Sequence, residues 1–250
     1  VDTVALLRED PDLGRILSGP EREIAQRACL AGTFMLRRGR WDTAARFQAT
    51  KGPDGYGLLL LSGVLCRRVS QAERGAAELI GPGDLIRPWD VVAEWSTLPV
   101  EATWAAVLPT RLAVLDAAFS RRAAHFPGIS EELVRRALLR SRNLAILSTI
   151  ASQRRLETRL HMLFWHLADR FGRMRGEWVQ IPLPLTHGLL AELVGARRPS
   201  VSTVVSKLQS RGLLMQEPDG WRISGTVPPE YAALHESASA AAAERATVAV

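Results

Sequence analysis

From Leu185 to Gly225 the chain reads LTHGLLAELVGARRPSVSTVVSKLQSRGLLMQEPDGWRISG. Few other stretches of the chain restrict its folding so tightly. Leu189, Leu190, Leu193 and Val194 fall on one face at amphipathic helical spacing, with Thr186 placed to cap the helix and Gly195 to break it. A second helix is expected from Arg198. It tolerates Pro199 because first-turn amides have no intrahelical partner, and it buries Val201, Val204, Val205 and Leu208. Gly212–Gln216, the turn Glu217-Pro218-Asp219-Gly220 and Trp221–Ile223 then predict strand, tight turn and strand. Two short helices around a glycine followed by a hairpin make a winged helix-turn-helix.

The outward face of the second helix carries Arg198, Ser202, Thr203, Ser206 and Lys207, with no acid among them. A helix of this character fits the DNA major groove. There an arginine can donate two parallel hydrogen bonds to guanine and hydroxyls adapt to several base edges. Thr186, His187, Arg197, Arg198, Ser200, Ser202, Thr203, Ser206, Lys207 and Trp221 are therefore the expected DNA-binding residues. From Gln153 to Gly225 eleven cations stand against six acids, so most of the whole chain's net charge of +6 lies in this region.

The chain has 250 residues, which is two ordinary domains. No apolar run is long enough to cross a bilayer, and the acidic start VDTVALLREDPDLG lacks the apolar core of a signal peptide, so a cytoplasmic protein is expected. Cys29 and Cys66 are too few for a disulfide framework and read as reduced structural thiols. Residues up to about Cys29 look helical. From Gly32 to Asp116, short apolar runs (33–36, 57–61, 64–69, 76–80, 102–107 and 111–115) alternate with turns, which predicts an antiparallel sandwich or roll. Ser130-Glu131-Glu132 should open a long helix reaching Gln153. Ala137, Leu144, Leu147 and Ala151 are spaced as a coiled-coil seam, and Leu139, Ile146 and Ile150 form another flank. Two apolar flanks imply two packing partners, the helix's own β-domain and a second copy of the chain. The tail from Thr226 is rich in alanine and serine and lacks an apolar stripe; a short helix is open to it, and it is expected to be mobile unless it docks on the dimer.

Three stretches carry a family resemblance: LLLLSGVLCRRV followed by ELIGPGDLI, then RLETRLHMLFWHLADRFG, and LTHGLLAELVGARRPSVSTVVSKLQSRGLL. Over nearly its whole length the chain resembles the CRP/FNR regulators. The resemblance implies an α+β fold: an N-terminal helical arm and antiparallel, jelly-roll-like β-roll (1–128), a dimerisation helix (129–153), a winged helix-turn-helix (154–225) and a tail (226–250). It implies a homodimer on a palindromic operator in double-stranded DNA, with RNA polymerase and a small-molecule effector as further candidate partners. It places Arg198, Ser202 and Thr203 where base-contacting residues stand. Pro199 departs from the glutamate common there, so the preferred base pair should differ.

The same comparison tells against cyclic AMP as effector, and no cofactor is expected. Members that bind it follow the GD of the roll with Gly-Glu and later carry Arg-Ser or Arg-Thr. Here Arg87-Pro88 follows, the later pair falls at Glu101-Ala102, and the purine-contacting hydroxyls of the long helix align with Leu144 and Ala145. Arg87, Trp89, Asp90, Glu101 and Leu144 are the candidate effector-pocket residues, for a flat or apolar molecule. Catalytic and metal residues are expected to be none. The β-region holds no histidine for a histidine–carboxylate metal site, no Ser or Cys stands in a nucleophile elbow, and His161 and His166 at i, i+5 do not share a helix face. An alternative stays open, a sensor whose winged domain binds protein partners instead of DNA.

Overall fold

A computed structural model describes residues 2–43, 54–71, 74–89 and 101–233. The chain divides into two compact units, Val1–Asn143 and Leu144–Val250. The division falls inside one continuous helix.

The first unit is an antiparallel seven-stranded sheet with helices. Its strands are β1 (Asp2–Ala5), β2 (Leu30–Leu36), β3 (Gly39–Trp41), β4 (Gly55–Gln71), β5 (Arg74–Ile80), β6 (Leu85–Ile86) and β7 (Glu101–Asp116). The runs expected at 57–61 and 64–69 are one long strand, as are those at 102–107 and 111–115. One edge of β7 pairs with both β2 and β3, and the free edge of β4 pairs with both β5 and β6. A strand shared between two neighbours must bend, and irregularities between Leu60 and Leu65 supply the bend. Gly63 makes it possible: its φ is +88°, and a Cβ there would stand 2.2 Å from the Pro109 carbonyl oxygen. Sequence periodicity reports the two straight halves and reads the bend as a turn.

Alternation along the strands separates two cores. Leu58, Leu60, Leu65, Ile80, Ile86, Trp104 and Leu112 pack inside the roll with Phe34 and Trp41. Leu59, Ala113 and Leu115 face the other way, against α1 (Leu6–Glu9), α2 (Gly19–Ala28), α3 (Ala117–Ala123) and the start of α4 (Pro127–Ser152). The N-terminal arm is thus helical, as expected, but opens with a strand that the sequence reading missed. Buried Cys29 belongs to this second core, and burial pushes its thiol up to about 11, which keeps it protonated and unreactive.

Helix α4 begins three residues before the expected cap. Ser130 is not a cap; its Oγ lies 2.7 Å from the Tyr56 hydroxyl. The flank that α4 turns to its own unit is Ile129, Leu133, Arg136 and Arg140, not Leu139, Ile146 and Ile150. Arg136 bonds Asp10 and Glu132, and Arg140 bonds Glu78. Arginines on the packed side hide that flank from an apolar-periodicity reading.

The second unit holds α5 (Leu156–Phe171), the strands β8 (Arg173–Arg175) and β9 (Trp178–Ile181), α6 (His187–Val194), α7 (Arg198–Ser210), and the hairpin β10 (Leu214–Glu217) with β11 (Gly220–Ser224). The four strands form one antiparallel sheet in the order β10-β11-β9-β8. The hairpin matches expectation; β8 and β9 were not anticipated. Its core joins Leu160, Leu163, Phe164, Leu167, Leu190, Val194, Val201, Val205, Leu208 and Trp221. Val204 is half-buried, not enclosed as expected. The tail also departs from expectation. Tyr231 is 2% exposed and donates to Asp169 on α5 at 2.6 Å, so the described part of the tail, to residue 233, is helical at its end and docked on its own domain.

Candidate nucleic-acid interface

Thr186 caps α6: its side-chain oxygen accepts from the Leu189 amide at 3.1 Å. Gly195 closes the helix in the left-handed region, at φ 62° and ψ 45°. The chain then re-enters as α7, with Pro199 in its first turn. Arg159 on α5 fixes this joint by donating to the carbonyls of Gln153 at 2.6 Å and Val194 at 3.3 Å. The geometry of the two helices is therefore set by local chemistry as well as by the core beneath.

What α7 leaves outside is its N-terminal turn and one flank. Arg197, Arg198, Ser200, Thr203, Ser206 and Lys207 are exposed, while Val201, Val205 and Leu208 are buried. The hydroxyls are held by the helix itself. Ser202 donates to the Arg198 carbonyl, Thr203 to Pro199 and Ser206 to Ser202, at 3.1, 3.3 and 3.1 Å. With their protons directed inward, these groups present acceptor lone pairs to a visitor. The first-turn amides and the two arginines add positive potential at the same end.

Several expected residues have other employment. His187 Nδ1 lies 2.8 Å from Ser202 Oγ, so these two side chains tie α6 to α7, and Ser202 is half-buried. Lys207 donates to Glu157 on α5 at 2.6 Å, and Arg211 pairs with the same carboxylate. These bonds hold the Glu157 carboxyl below the usual carboxylate range, Lys207 being the larger cause. Trp221 is a correction. It is 1% exposed, packs on Phe164 and donates its indole N–H to the Leu185 carbonyl at 3.2 Å, so it belongs to the core and cannot touch DNA. On the exposed side of the sheet, Arg222 stacks 3.2 Å from the Trp178 ring and pairs with Glu217. Sequence reasoning missed this stack because β9 itself was missed.

The candidate effector residues are scattered. Arg87 lines a cavity of about 280 Å³ in the first unit, together with Tyr56, Arg67, Leu85, Ile86, Trp104 and Arg140. Trp89 packs at the edge of the inner core and does not line it. Asp90 lies outside the described residues. Glu101 begins β7, paired with Ser70. Leu144 is exposed and borders neither this cavity nor the one beside Arg40 and Arg68. His161 accepts from Trp165 at 3.2 Å and His166 is buried beside Tyr231.

A left-handed glycine between two short helices, an arginine-led second helix and a flanking antiparallel wing are now joined by sequence similarity, for residues 158–224 match the Crp-like helix-turn-helix domain. Those residues resemble a Crp-like helix-turn-helix domain in sequence and in fold. Solved structures extend the likeness to the fold of most of the chain. A cyclic nucleotide-binding domain containing protein from Listeria monocytogenes is 13% identical, with a TM-score of 0.61 over 86% of this chain and 96% of that one. FixK2 from Bradyrhizobium japonicum is 15% identical, with a TM-score of 0.56 over 82% and 96%. A CooA mutant from Carboxydothermus hydrogenoformans is 14% identical, with a TM-score of 0.56 over 82% and 87%. No curated protein matches the chain in sequence. The fold is the one these structures share, a β-roll, a long helix and a Crp-like domain. Among the described residues no helix is long and apolar enough to cross a membrane.

Proposed function

We propose that this chain is a sequence-specific, DNA-binding transcription regulator of CRP/FNR type, cytoplasmic and without catalytic activity, that binds a palindromic operator as a homodimer. The observation that carries this reading is the exposed N-terminal turn of α7 in a Crp-like domain. Arg197 and Arg198 have no ion pair among the described residues, and Ser200 and Thr203 stand beside them on the open side.

Dimerisation is supported by the outer face of α4. Val134 is 57% exposed and Leu138 66%, and Ala137, Ser141, Leu144, Ala145 and Ser148 continue the exposed face at helical spacing. Large aliphatics followed by small residues suit close approach of a second helix. Regulation by a small molecule other than cyclic AMP, or constitutive activity, completes the proposal, with RNA polymerase as a further partner.

Selection of bound fragments from random DNA, followed by footprinting, tests this. The expected product is an inverted repeat with half-sites about 34–36 Å apart. Sedimentation should show a dimer, and Leu138→Glu should shift it to monomer and shorten the footprint to one half-site. Absence of any selected sequence, with affinity insensitive to salt, would favour a winged domain that binds proteins.

A further inference from the structure

We infer that His187 and Ser202 are positioning residues that hold the first turn of α7 so that Arg198 reads a base, a role that rests on the DNA-binding function proposed above. The resemblance puts Ser202 itself among the base-contacting residues. The geometry gives its hydroxyl a different task.

A serine hydroxyl has one proton to donate and two lone pairs that accept. Ser202 Oγ stands 3.1 Å from the Arg198 carbonyl and 2.8 Å from His187 Nδ1. A carbonyl only accepts, so the Ser202 proton goes to Arg198. The contact with His187 is then a hydrogen bond only if Nδ1 carries a proton and donates it. One assignment satisfies both distances: His187 Nδ1–H donates to Ser202 Oγ, and Ser202 Oγ–H donates to the Arg198 carbonyl. Accepting one bond polarises the hydroxyl and strengthens the bond it donates. Ser202 is half-buried with its proton committed and one lone pair filled, whereas Arg198, Ser200 and Thr203 are exposed. With Nδ1 as the donor, the neutral His187 ring keeps only a lone pair at Nε2 and has no second proton to give a phosphate.

The other end of this chain of bonds is anchored in the core. The His187 ring lies 6.2 Å from that of Trp221, at an interplanar angle of 36°. Trp221 is 1% exposed and donates its indole N–H to the carbonyl of Leu185, two residues before His187. On the other side the Leu189 amide donates to the Thr186 side chain. A buried ring behind the imidazole and a capped turn around it restrict His187, and the restriction passes through Ser202 to the backbone of Arg198. Arg198 is the first residue of α7, where a helix frays, and a paired contact with guanine tolerates little movement of the residue that makes it.

Operator selection and binding assays on variants test the assignment. His187→Ala and Ser202→Ala should each lower the ratio of operator to random-DNA affinity about fivefold and relax the same base pair as Arg198→Ala. Their losses should not add in the double variant, because either substitution breaks the one chain. His187→Asn, whose amide nitrogen reaches the place of Nδ1, should recover the ratio, and His187→Gln, whose amide reaches toward Nε2, should not. Asparagine also keeps the test valid where alanine loosens the joint and lowers the melting temperature. In the free protein, nitrogen NMR of the imidazole should show the His187 proton on Nδ1, and Ser202→Ala should remove that preference. Relaxation by Ser202→Ala at a base pair other than that of Arg198, additive losses, recovery with glutamine instead of asparagine, or a proton on Nε2 alone overturns the proposal. So does an equal loss of operator and random-DNA affinity in His187→Ala, which marks a phosphate contact. Any of these results with a selected operator leaves the regulator in place and removes the positioning role. Selection of no operator by the unaltered chain sinks the regulator and the readout together, even where NMR finds the proton on Nδ1.

Discussion

Glu157, near the start of α5, holds two cations at once, Lys207 of α7 and Arg211 at its C-cap. All three side chains are solvent-accessible, so the cluster contributes little to stability. Its weight falls on charge near the proposed DNA-binding face. Glu157→Gln should raise non-specific DNA affinity and steepen the slope of log K against log salt by about 1, from one additional net positive charge. Binding isotherms at several salt concentrations measure this, and an unchanged slope would show that the cluster lies outside the DNA field.

Arg198→Ala should cost roughly 1–3 kcal/mol of operator binding and relax preference at one base pair, because Arg198 leads the helix and is unpaired among the described residues. Lys207→Ala should weaken operator and random DNA alike, and by less, since its charge is already answered by Glu157. Competition assays against single-base operator variants distinguish the two. Equal scaling of specific and non-specific binding by Arg198→Ala would remove Arg198 from base readout.

Acid should loosen the first unit through Glu132. Bonds from Arg135, and then Arg136, outweigh burial and hold its carboxyl down to about 2, from an ordinary 4.5. A depressed carboxylate stabilises the fold fully above its unfolded value and loses that contribution as pH falls through the folded one. Stability should therefore decline between about pH 4.5 and pH 2, by up to roughly 3 kcal/mol from this group. Urea melts across that range should show it. Glu132→Gln should flatten the dependence while lowering stability at pH 7 by about 3–5 kcal/mol, because Arg136 then keeps only Asp10 and Arg135 loses its bidentate partner.

Gly195→Ala isolates a backbone effect. No atom lies within 4 Å of the position its Cβ would take, so the left-handed φ of 62° alone sets the penalty, about 1–2 kcal/mol. The expected signature is a lower melting temperature of the Crp-like domain with operator affinity at low temperature unchanged. A fall in affinity without a fall in stability would mean that the turn moves.

The turn, both recognition-domain helices and the wing hairpin were legible because each rests on local chemistry: a cap at Thr186, a left-handed glycine, helical apolar spacing and a Pro-Asp-Gly turn. What escaped depends on partners distant in sequence. Trp221 looks like a wing contact until Phe164 and Leu185 are seen to enclose it. Arg136 and Arg140 look like a solvated face until Asp10 and Glu78 meet them. Short β8 and β9 carry little pattern of their own and exist because β11 offers an edge. Of the candidate effector residues only Arg87 lines the cavity; its other cations sit on a strand and a helix that sequence reading assigned to the core or to the dimer.

Tyr231 lies seven residues beyond the stretch matched to the Crp-like domain, yet its ring is enclosed and its hydroxyl bonds Asp169. A growing chain makes α5, α6, α7 and the wing before it makes this residue. The face of α5 around His166 and Asp169 therefore waits uncovered through synthesis of the whole matched stretch. Translation finishes the helix-turn-helix and its wing before it makes the plug, and the last step toward a fully closed domain belongs to a residue outside the matched stretch.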